Sequence, residues 1–343
     1  MNDEKYIKRA IELAKNARAT AAPNPMVGAV IVHNGKIIGE GYHIKSGQPH
    51  AEVNAIRSVK DKTLLADSTI YVTLEPCAHY GKTPPCAKLI IDMKIPRVVV
   101  GCKDPFSKVD GKGIEMLRQS GCSVKVGVLE DECRELIKRF VVFHTEKRPY
   151  IQLKWAESAD GYMDVLRTDG SPVVLSNALT SVLTHKRRSE VKAILVGRNT
   201  AVLDNPSLTV RHWRGENPLR VVIDKDLSVP ISSALFDDSA PTIVFNSVKN
   251  DFVGKTEYVC LDFDGDVLGG VLSFLYSRNI QSLMVEGGAF TLNEFIDRGL
   301  WDEAVVEKTR VSLGNGVSAP VMKVYSSLTE EQHFGHFFLC YER

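Results

Sequence analysis

His50, Glu52, Cys77 and Cys86 are three residues able to bind zinc and one able to move protons, in an order that suits hydrolysis. A catalytic zinc takes three protein ligands, here one neutral imidazole and two thiolates, and keeps its fourth position for water. Zinc lowers the pKa of that water from about 15.7 to about 7, so hydroxide becomes available at neutral pH. Glu52, close behind His50, is placed to carry the proton as acid and base and not to bind the metal. Taken singly, His50 reads as a helix cap, Glu52 as a solvated carboxylate and the cysteines as small buried hydrophobes. The ordered set within one domain reads as a metal centre. His79 or His43 as a fourth ligand would close the site and make the zinc structural.

These side chains need elements to hold them. Apolar residues at helical spacing from Glu4 to Ala17 predict an opening amphipathic helix that ends before Pro23 and Pro25. Val27 to Val32 and Lys36 to Tyr42 flank Asn34-Gly35, a pair that supplies the positive φ angles of a tight hairpin. A helix from Ala51 to Val59 then places His50 at its start, and a strand from Thr69 to Leu74 leads into Pro76-Cys77. A second helix opening near Pro84-Pro85 places Cys86 at its own start, where exposed N–H groups favour thiolate over thiol. A strand from Arg97 to Gly101 and a helix from Glu130 to Phe143 complete an α/β layered domain.

The polar stretch Thr145 to Arg148, before Pro149, marks the boundary between domains 1–147 and 148–343. The second set of elements runs through strands near Ile151 to Trp155, Ala193 to Val196, Leu219 to Ile223, Thr242 to Phe245 and Ser282 to Val285. At 343 residues, with 44% hydrophobic and 25% charged residues, the chain is long enough for two cores. A formal net charge of +1 gives no basic footprint for nucleic acid and favours a small-molecule substrate. Met1 to Lys8 lacks the pattern of an export signal and no run suits a membrane span, so the expected location is the cytoplasm. Seven cysteines, an odd number, argue for thiols and metal ligands, with Cys102, Cys122, Cys133, Cys260 and Cys340 as ordinary thiols.

The order His-x-Glu followed by Pro-Cys-x-x-Cys is the signature of zinc-dependent base deaminases. This chain departs from it through the stretch Ala78-His79-Tyr80-Gly81-Lys82-Thr83-Pro84-Pro85 between the two cysteines. Together with Pro23-Asn24-Pro25-Met26-Val27-Gly28, His50-Ala51-Glu52 and Glu75-Pro76-Cys77, that long insert resembles the bifunctional deaminase/reductase family of riboflavin biosynthesis. The resemblance covers essentially the whole chain. It implies a cytidine-deaminase-like three-layer α/β/α domain followed by a dihydrofolate-reductase-like α/β domain. It also implies hydrolytic deamination of a diaminopyrimidinone ribosylamino 5′-phosphate with one zinc ion, then NADPH-dependent reduction of the ribosyl group to ribityl.

In that reading Asn24 contacts the pyrimidine, although it also reads as a turn residue, and His79, Lys82 and Thr83 lie near the sugar phosphate. Ser158-Ala159-Asp160-Gly161, Leu203 to Arg211 and Val285-Glu286-Gly287-Gly288 carry the resemblance in the second half. By resemblance Ala156, Val174, Thr200, Asp204 and the stretch Gly288, Ala289, Phe290, Thr291, Leu292, Asn293 and Glu294 line the dinucleotide. Lys225 is a contact for its extra phosphate, or a solvated turn residue. Pro172, Arg188, Leu208, Arg211 and Glu286 face substrate, the two arginines as bidentate phosphate partners or as solvated charges. Gly287-Gly288, between a strand and a helix, allows close approach of a pyrophosphate to helix N–H groups. Where the family shows a Trp-Ile-Thr-Ser run this chain has Val174-Leu175-Ser176-Asn177, with Asn177 able to cap the following helix. A deaminase of a base in transfer RNA and a nucleotide-binding protein with structural zinc are the rival readings. A homo-oligomer is the family expectation.

Overall fold

The computed structural model describes residues 3–80, 84–104, 111–167 and 173–343. They divide between Glu146 and Lys147 into two compact units. Lys82, Thr83 and Pro172 lie outside the described residues. Among those described, no helix is long and apolar enough to cross a membrane.

The first unit runs α1 (Asp3–Lys15), β1 (Gly28–His33), β2 (Lys36–Tyr42), α2 (Ala51–Ser58), β3 (Thr69–Leu74), α3 (Cys86–Asp92), β4 (Arg97–Cys102), α4 (Lys112–Gln119), β5 (Ser123–Val126), α5 (Glu130–Leu136) and α6 (Lys138–Thr145). Its sheet has the order β2-β1-β3-β4-β5, with β1 antiparallel to both neighbours and the rest parallel. Strand residues alternate between two cores. Val30, Tyr71 and Val99 pack against α1 and α5, while Ala29, Ile31, Val72, Val98 and Val100 pack against α2 and α3. The result is the three-layer α/β/α arrangement, with Asn34 (φ 47) and Gly35 (φ 76) forming the expected hairpin turn.

The helix expected from Glu130 to Phe143 is two helices, broken at Ile137 (φ −109, ψ 10). Leu136 and Ile137 are both buried in one core. Neighbouring residues of a continuous helix point about 100° apart, so the break lets both side chains reach it.

Helix α2, which begins just after His50, packs directly on β2. A Cβ at Gly41 would lie 2.3 Å from the Ala55 nitrogen and 2.7 Å from the Ala51 oxygen, and one at Gly39 would lie 2.6 Å from the Ala55 oxygen. The alternation Gly39-Glu40-Gly41 therefore sets the depth at which α2 sits.

The second unit contains β6 (Tyr150–Glu157), β7 (Tyr162–Asp164), α7 (Ala178–Ser189), β8 (Ala193–Gly197), α8 (Arg198–Asp204), β9 (Leu219–Ile223), β10 (Thr242–Asn246), β11 (Asp251–Val253), β12 (Thr256–Cys260), α9 (Val267–Ser277), β13 (Ser282–Val285), α10 (Ala289–Asp297), β14 (Glu303–Lys308), β15 (Val317–Ser318), β16 (Ser327–His333) and β17 (His336–Glu342). A ten-stranded sheet has the order β11-β12-β10-β9-β8-β13-β6-β14-β17-β16, parallel from β12 to β14 with antiparallel strands at both edges. The chain moves outward from β8 to β12 and then returns to insert β13 between β8 and β6. That reversal makes the carboxyl ends of these strands the crevice where an open α/β sheet binds ligands.

Gly41→Ala should lower the unfolding free energy by about 1–3 kcal/mol through forced displacement of α2, as read by urea denaturation.

Candidate functional sites in the two units

In the first unit three segments bring the ligand atoms together. His50 is the N-cap of α2, Cys77 follows the end of β3, and Cys86 is the first residue of α3. The Cys77 carbonyl accepts the Ala87 N–H at 3.2 Å, and the Cys77 sulfur accepts the Cys86 N–H at 3.3 Å. The His50 Nδ1 atom lies 3.7 Å from the Cys77 sulfur and 3.4 Å from the Cys86 sulfur. All three donor atoms fall within 4.8 Å of one another. Tetrahedral zinc bonds of about 2.0–2.1 Å to nitrogen and 2.3 Å to sulfur put such an N···S pair about 3.6 Å apart. The donor set therefore fits zinc in both type and spacing.

The charges agree with this. The Cys86 bond to Cys77, with the His50 ring and the Cys86 N–H, brings Cys77 down to about 4 against the effect of burial. The same shared bond, and burial, push Cys86 up. The bond to Cys77 raises His50 against burial. Glu52 is 3% exposed; burial, with the Cys77 charge added, raises its carboxyl.

Neither rival ligand joins the group. His79 is exposed. His43 is spent elsewhere, its Nδ1 on the Pro49 carbonyl at 3.1 Å and its Nε2 against the Asn24 amide nitrogen at 3.0 Å. Burial, and then the neighbouring His50, hold the His43 ring neutral against the pull of the Pro49 carbonyl. The ring thus donates to Pro49 and accepts from Asn24, which fixes the orientation of the Asn24 amide.

Glu75 is a positioning group that the sequence reading missed. Its buried carboxylate accepts backbone N–H groups of Asp104, Gly111, Gly113 and Ile114 at 2.9 to 3.3 Å, tying the residue before Pro76-Cys77 to the start of α4. A Cβ at Gly113 would lie 1.9 Å from the Pro76 oxygen, so α4 and this turn are in direct backbone contact.

In the second unit, Glu286 at the end of β13 holds Arg188 of α7 in a bidentate pair at 2.9 and 2.6 Å. Burial alone would raise Glu286, but the Arg188 charge and hydrogen bonds hold it below the usual carboxylate range. Two residues expected to face substrate thus meet each other. Lys154 lies beside them, its side chain 11% exposed and its Nζ 3.9 Å from the Glu307 carboxylate. Burial lowers its pKa, while Glu286 and Glu307 oppose that shift. The sequence reading did not single out Lys154. Its signal is a charged residue inside a central parallel strand, where near-continuous apolar sequence is the rule.

The expected dinucleotide residues gather only in part. Gly288 donates its N–H to the Thr200 hydroxyl at 2.8 Å. Within α10 the Leu292 N–H bonds the Gly288 carbonyl, which leaves the N–H groups of Ala289, Phe290 and Thr291 outside the helix's own ladder. Asp204 is engaged by Arg167 at 2.5 Å. Val174 and Phe290 are 79% and 78% exposed. Ala156 is half-buried, Asn293 and Glu294 are exposed, and Lys225 is exposed just beyond β9. The expectation for Leu292 and Leu208 needs correction at the side chain. Both pack into hydrophobic cores, Leu292 0% and Leu208 2% exposed. Asn177 caps α7 as expected, accepting the Leu179 and Thr180 N–H groups at 3.0 Å.

Residues 1–102 match the sequence pattern of the cytidine and deoxycytidylate deaminase zinc-binding region, and residues 149–323 match that of the RibD C-terminal domain. The riboflavin biosynthesis protein RibD of Aquifex aeolicus is 43% identical over 321 residues, 92% of this chain and 89% of that protein. The chain belongs to the RibD family of riboflavin biosynthesis proteins. A RibD-family structure from Thermotoga maritima, described as a diaminohydroxyphosphoribosylaminopyrimidine deaminase/5-amino-6-(5-phosphoribosylamino)uracil reductase, matches with a TM-score of 0.89 and 36% identity. That match covers 99% of this chain and 98% of the other. Acinetobacter baumannii RibD matches with a TM-score of 0.86 and 30% identity, over 99% and 98%.

Like its RibD relatives, the chain is a bifunctional enzyme, with a zinc-binding deaminase domain followed by a reductase domain of dihydrofolate-reductase-like fold. The transfer-RNA and binding-protein readings give way to this one.

His185 yields a pH test in the RibD reductase domain. It is 3% exposed, and its Nδ1 accepts the Arg211 N–H at 3.0 Å. Burial, then the Arg188 and Arg211 charges, lower its pKa from 6.5 to about 4. Between those values the unfolded chain binds more protons than the folded one, so this group's contribution is present above pH 6.5 and is lost as pH falls toward 4. His185→Gln, which keeps an acceptor for Arg211, should flatten that part of the stability profile in urea titrations taken across the same range.

Proposed function

We propose that the chain hydrolyses the exocyclic amine of a diaminopyrimidinone ribosylamino 5′-phosphate and then reduces the ribosyl group of the deaminated product to ribityl with NADPH. The observation that carries this reading is the His50, Cys77 and Cys86 donor set at zinc spacing beside a buried Glu52. It stands in a chain that matches the Thermotoga maritima deaminase/reductase over nearly its full length.

A zinc ion held by His50, Cys77 and Cys86 supplies the Lewis acidity that makes water a nucleophile at neutral pH. Glu52 does the proton work: its raised pKa suits a group that takes a proton from water, delivers it to a ring nitrogen, and passes a second to the departing amine. Water adds, ammonia leaves, and Glu52 ends as it began. Asn24, fixed by His43, orients the pyrimidine, while His79, Lys82 and Thr83 are assigned to the sugar phosphate.

In the reductase domain NADPH supplies the hydride for C1′. The residues fit a dinucleotide, because α10 opens directly at the end of a central parallel strand with its first N–H groups outside the helical ladder. Its lining is assigned to Ala156, Val174, Thr200, Asp204 and the start of α10, with Lys225 at the extra phosphate. Reduction at C1′ opens the sugar ring, so the ring oxygen needs a proton. We assign that proton to Lys154, buried between Glu286 and Glu307, with Arg188, Arg211 and Glu286 holding the substrate.

The test follows ammonia release and NADPH oxidation together on zinc-loaded protein. Wild type should give both signals from the diaminopyrimidinone ribosylamino 5′-phosphate. Glu52→Gln should lose about 10²–10⁴-fold in ammonia release while still oxidising NADPH when given the deaminated compound. Ammonia release at the wild-type rate from Glu52→Gln would remove the role given to Glu52.

A further inference from the structure

The family motifs leave the C-terminal hairpin without a task, yet its second strand reaches into the reductase domain. His336, the first residue of β17, places Nδ1 2.7 Å from the Glu307 carboxylate. Glu307 is 0% exposed on β14 and also accepts the Ser176 hydroxyl at 2.6 Å. The oxygen that accepts Ser176, Oε2, is also the one that faces Lys154 of β6, 3.9 Å from its Nζ, while His336 sits at Oε1. Strands β6 and β14 pair so that Glu307 stands opposite Ala156 and Lys154 opposite Val305, which puts both residues on one face of the sheet. Asn177, next to Ser176, donates its side-chain amide to the Phe334 carbonyl at 3.1 Å, at the hairpin turn from which His336 emerges. A buried carboxylate with this many donors is held firmly, and its charge needs a cation near it.

We propose that Glu307 is a positioning residue of the reductase, held by Ser176 and His336 so that its carboxylate fixes Lys154 beside the substrate pocket. This rests on the reading of Lys154 as the proton donor. The charges facing Lys154 are Glu307 from β14, Glu286 just after β13 and Arg187 and Arg188 from α7. The charge facing Glu307 is Lys154, and its hydrogen-bond partners are Ser176, Thr180 and, from β17, His336. Burial would raise Glu307, but these partners keep it ionised. Glu286 is already committed to Arg188 in a bidentate pair, so Glu307 is the carboxylate that remains to hold the lysine charged. The proposal also accounts for a departure from the family run: Ser176 keeps the hydroxyl that threonine would supply, and Asn177 adds the tie to the hairpin.

The test uses full-length protein given the deaminated substrate and NADPH, so that the deaminase is bypassed. Removing the Glu307 charge lowers the Lys154 pKa, so in Glu307→Gln the alkaline limb of the kcat/KM profile should move to lower pH by at least about one unit. NADPH affinity, read by fluorescence quenching, should stay within about twofold. Ser176→Ala removes one hydrogen bond and no charge; it should lower kcat several-fold at unchanged NADPH affinity, with Ser176→Thr recovering most of the loss. It carries the test if Glu307→Gln folds poorly. A Glu307→Gln profile that superimposes on wild type, or Ser176→Ala and Ser176→Thr losing activity alike, overturns the proposal. Lys154→Met separates the two readings. Full reductase activity there removes Lys154 as proton donor and the proposal with it, whereas loss there with an unshifted Glu307→Gln limb removes Glu307 alone.

Discussion

Two cysteine sulfurs and an imidazole nitrogen within 4.8 Å of one another, mostly out of water, form a grouping whose donor types and spacing suit a zinc ion. Bringing it together is the constraint that the first domain is built around. The three ligands come from three elements. Each of those elements is set by an independent device: the glycine contacts of β2 for α2, the Glu75 carboxylate for the turn after β3, and the Cys86 N–H for the start of α3. Displacing any of them would change the donor spacing that zinc bonds require. The precision of the site therefore resides largely in contacts of the backbone.

The reductase domain meets the same problem with charges. Lys154, Glu286, Arg188 and Glu307 are largely withdrawn from water, and each is opposed by a partner of opposite sign. Such a cluster is costly to bury and costlier to break, since removing one member strands another. Its members come from β6, the end of β13, α7 and β14, which the sheet order brings together at the reversal point of the strands. Fold and site are thus one arrangement seen at two scales.

The sequence made local matters legible. Asn34-Gly35, the strand from Thr69 to Leu74 and the helix start at Cys86 were readable because each depends on neighbouring residues. The zinc donor set was readable because its residue types and order are rare by chance. What escaped is long-range. Glu75 acts on residues about 30 to 40 positions away, and Glu307 depends on Ser176, 131 positions back. Leu208 and Leu292 were placed against ligands together with their neighbours in sequence, while their side chains are claimed by the cores. The break at Ile137 likewise follows from which core the side chain enters, which helical periodicity does not report.

The most direct test of the account is X-ray absorption spectroscopy at the zinc edge of the zinc-loaded protein. Two sulfur scatterers at about 2.3 Å, one imidazole nitrogen and one further light atom at about 2.0–2.1 Å are the expected shell, with the second sulfur lost in Cys86→Ser. A shell with two imidazoles, which would bring in His43 or His79 and leave no place for water, would contradict it.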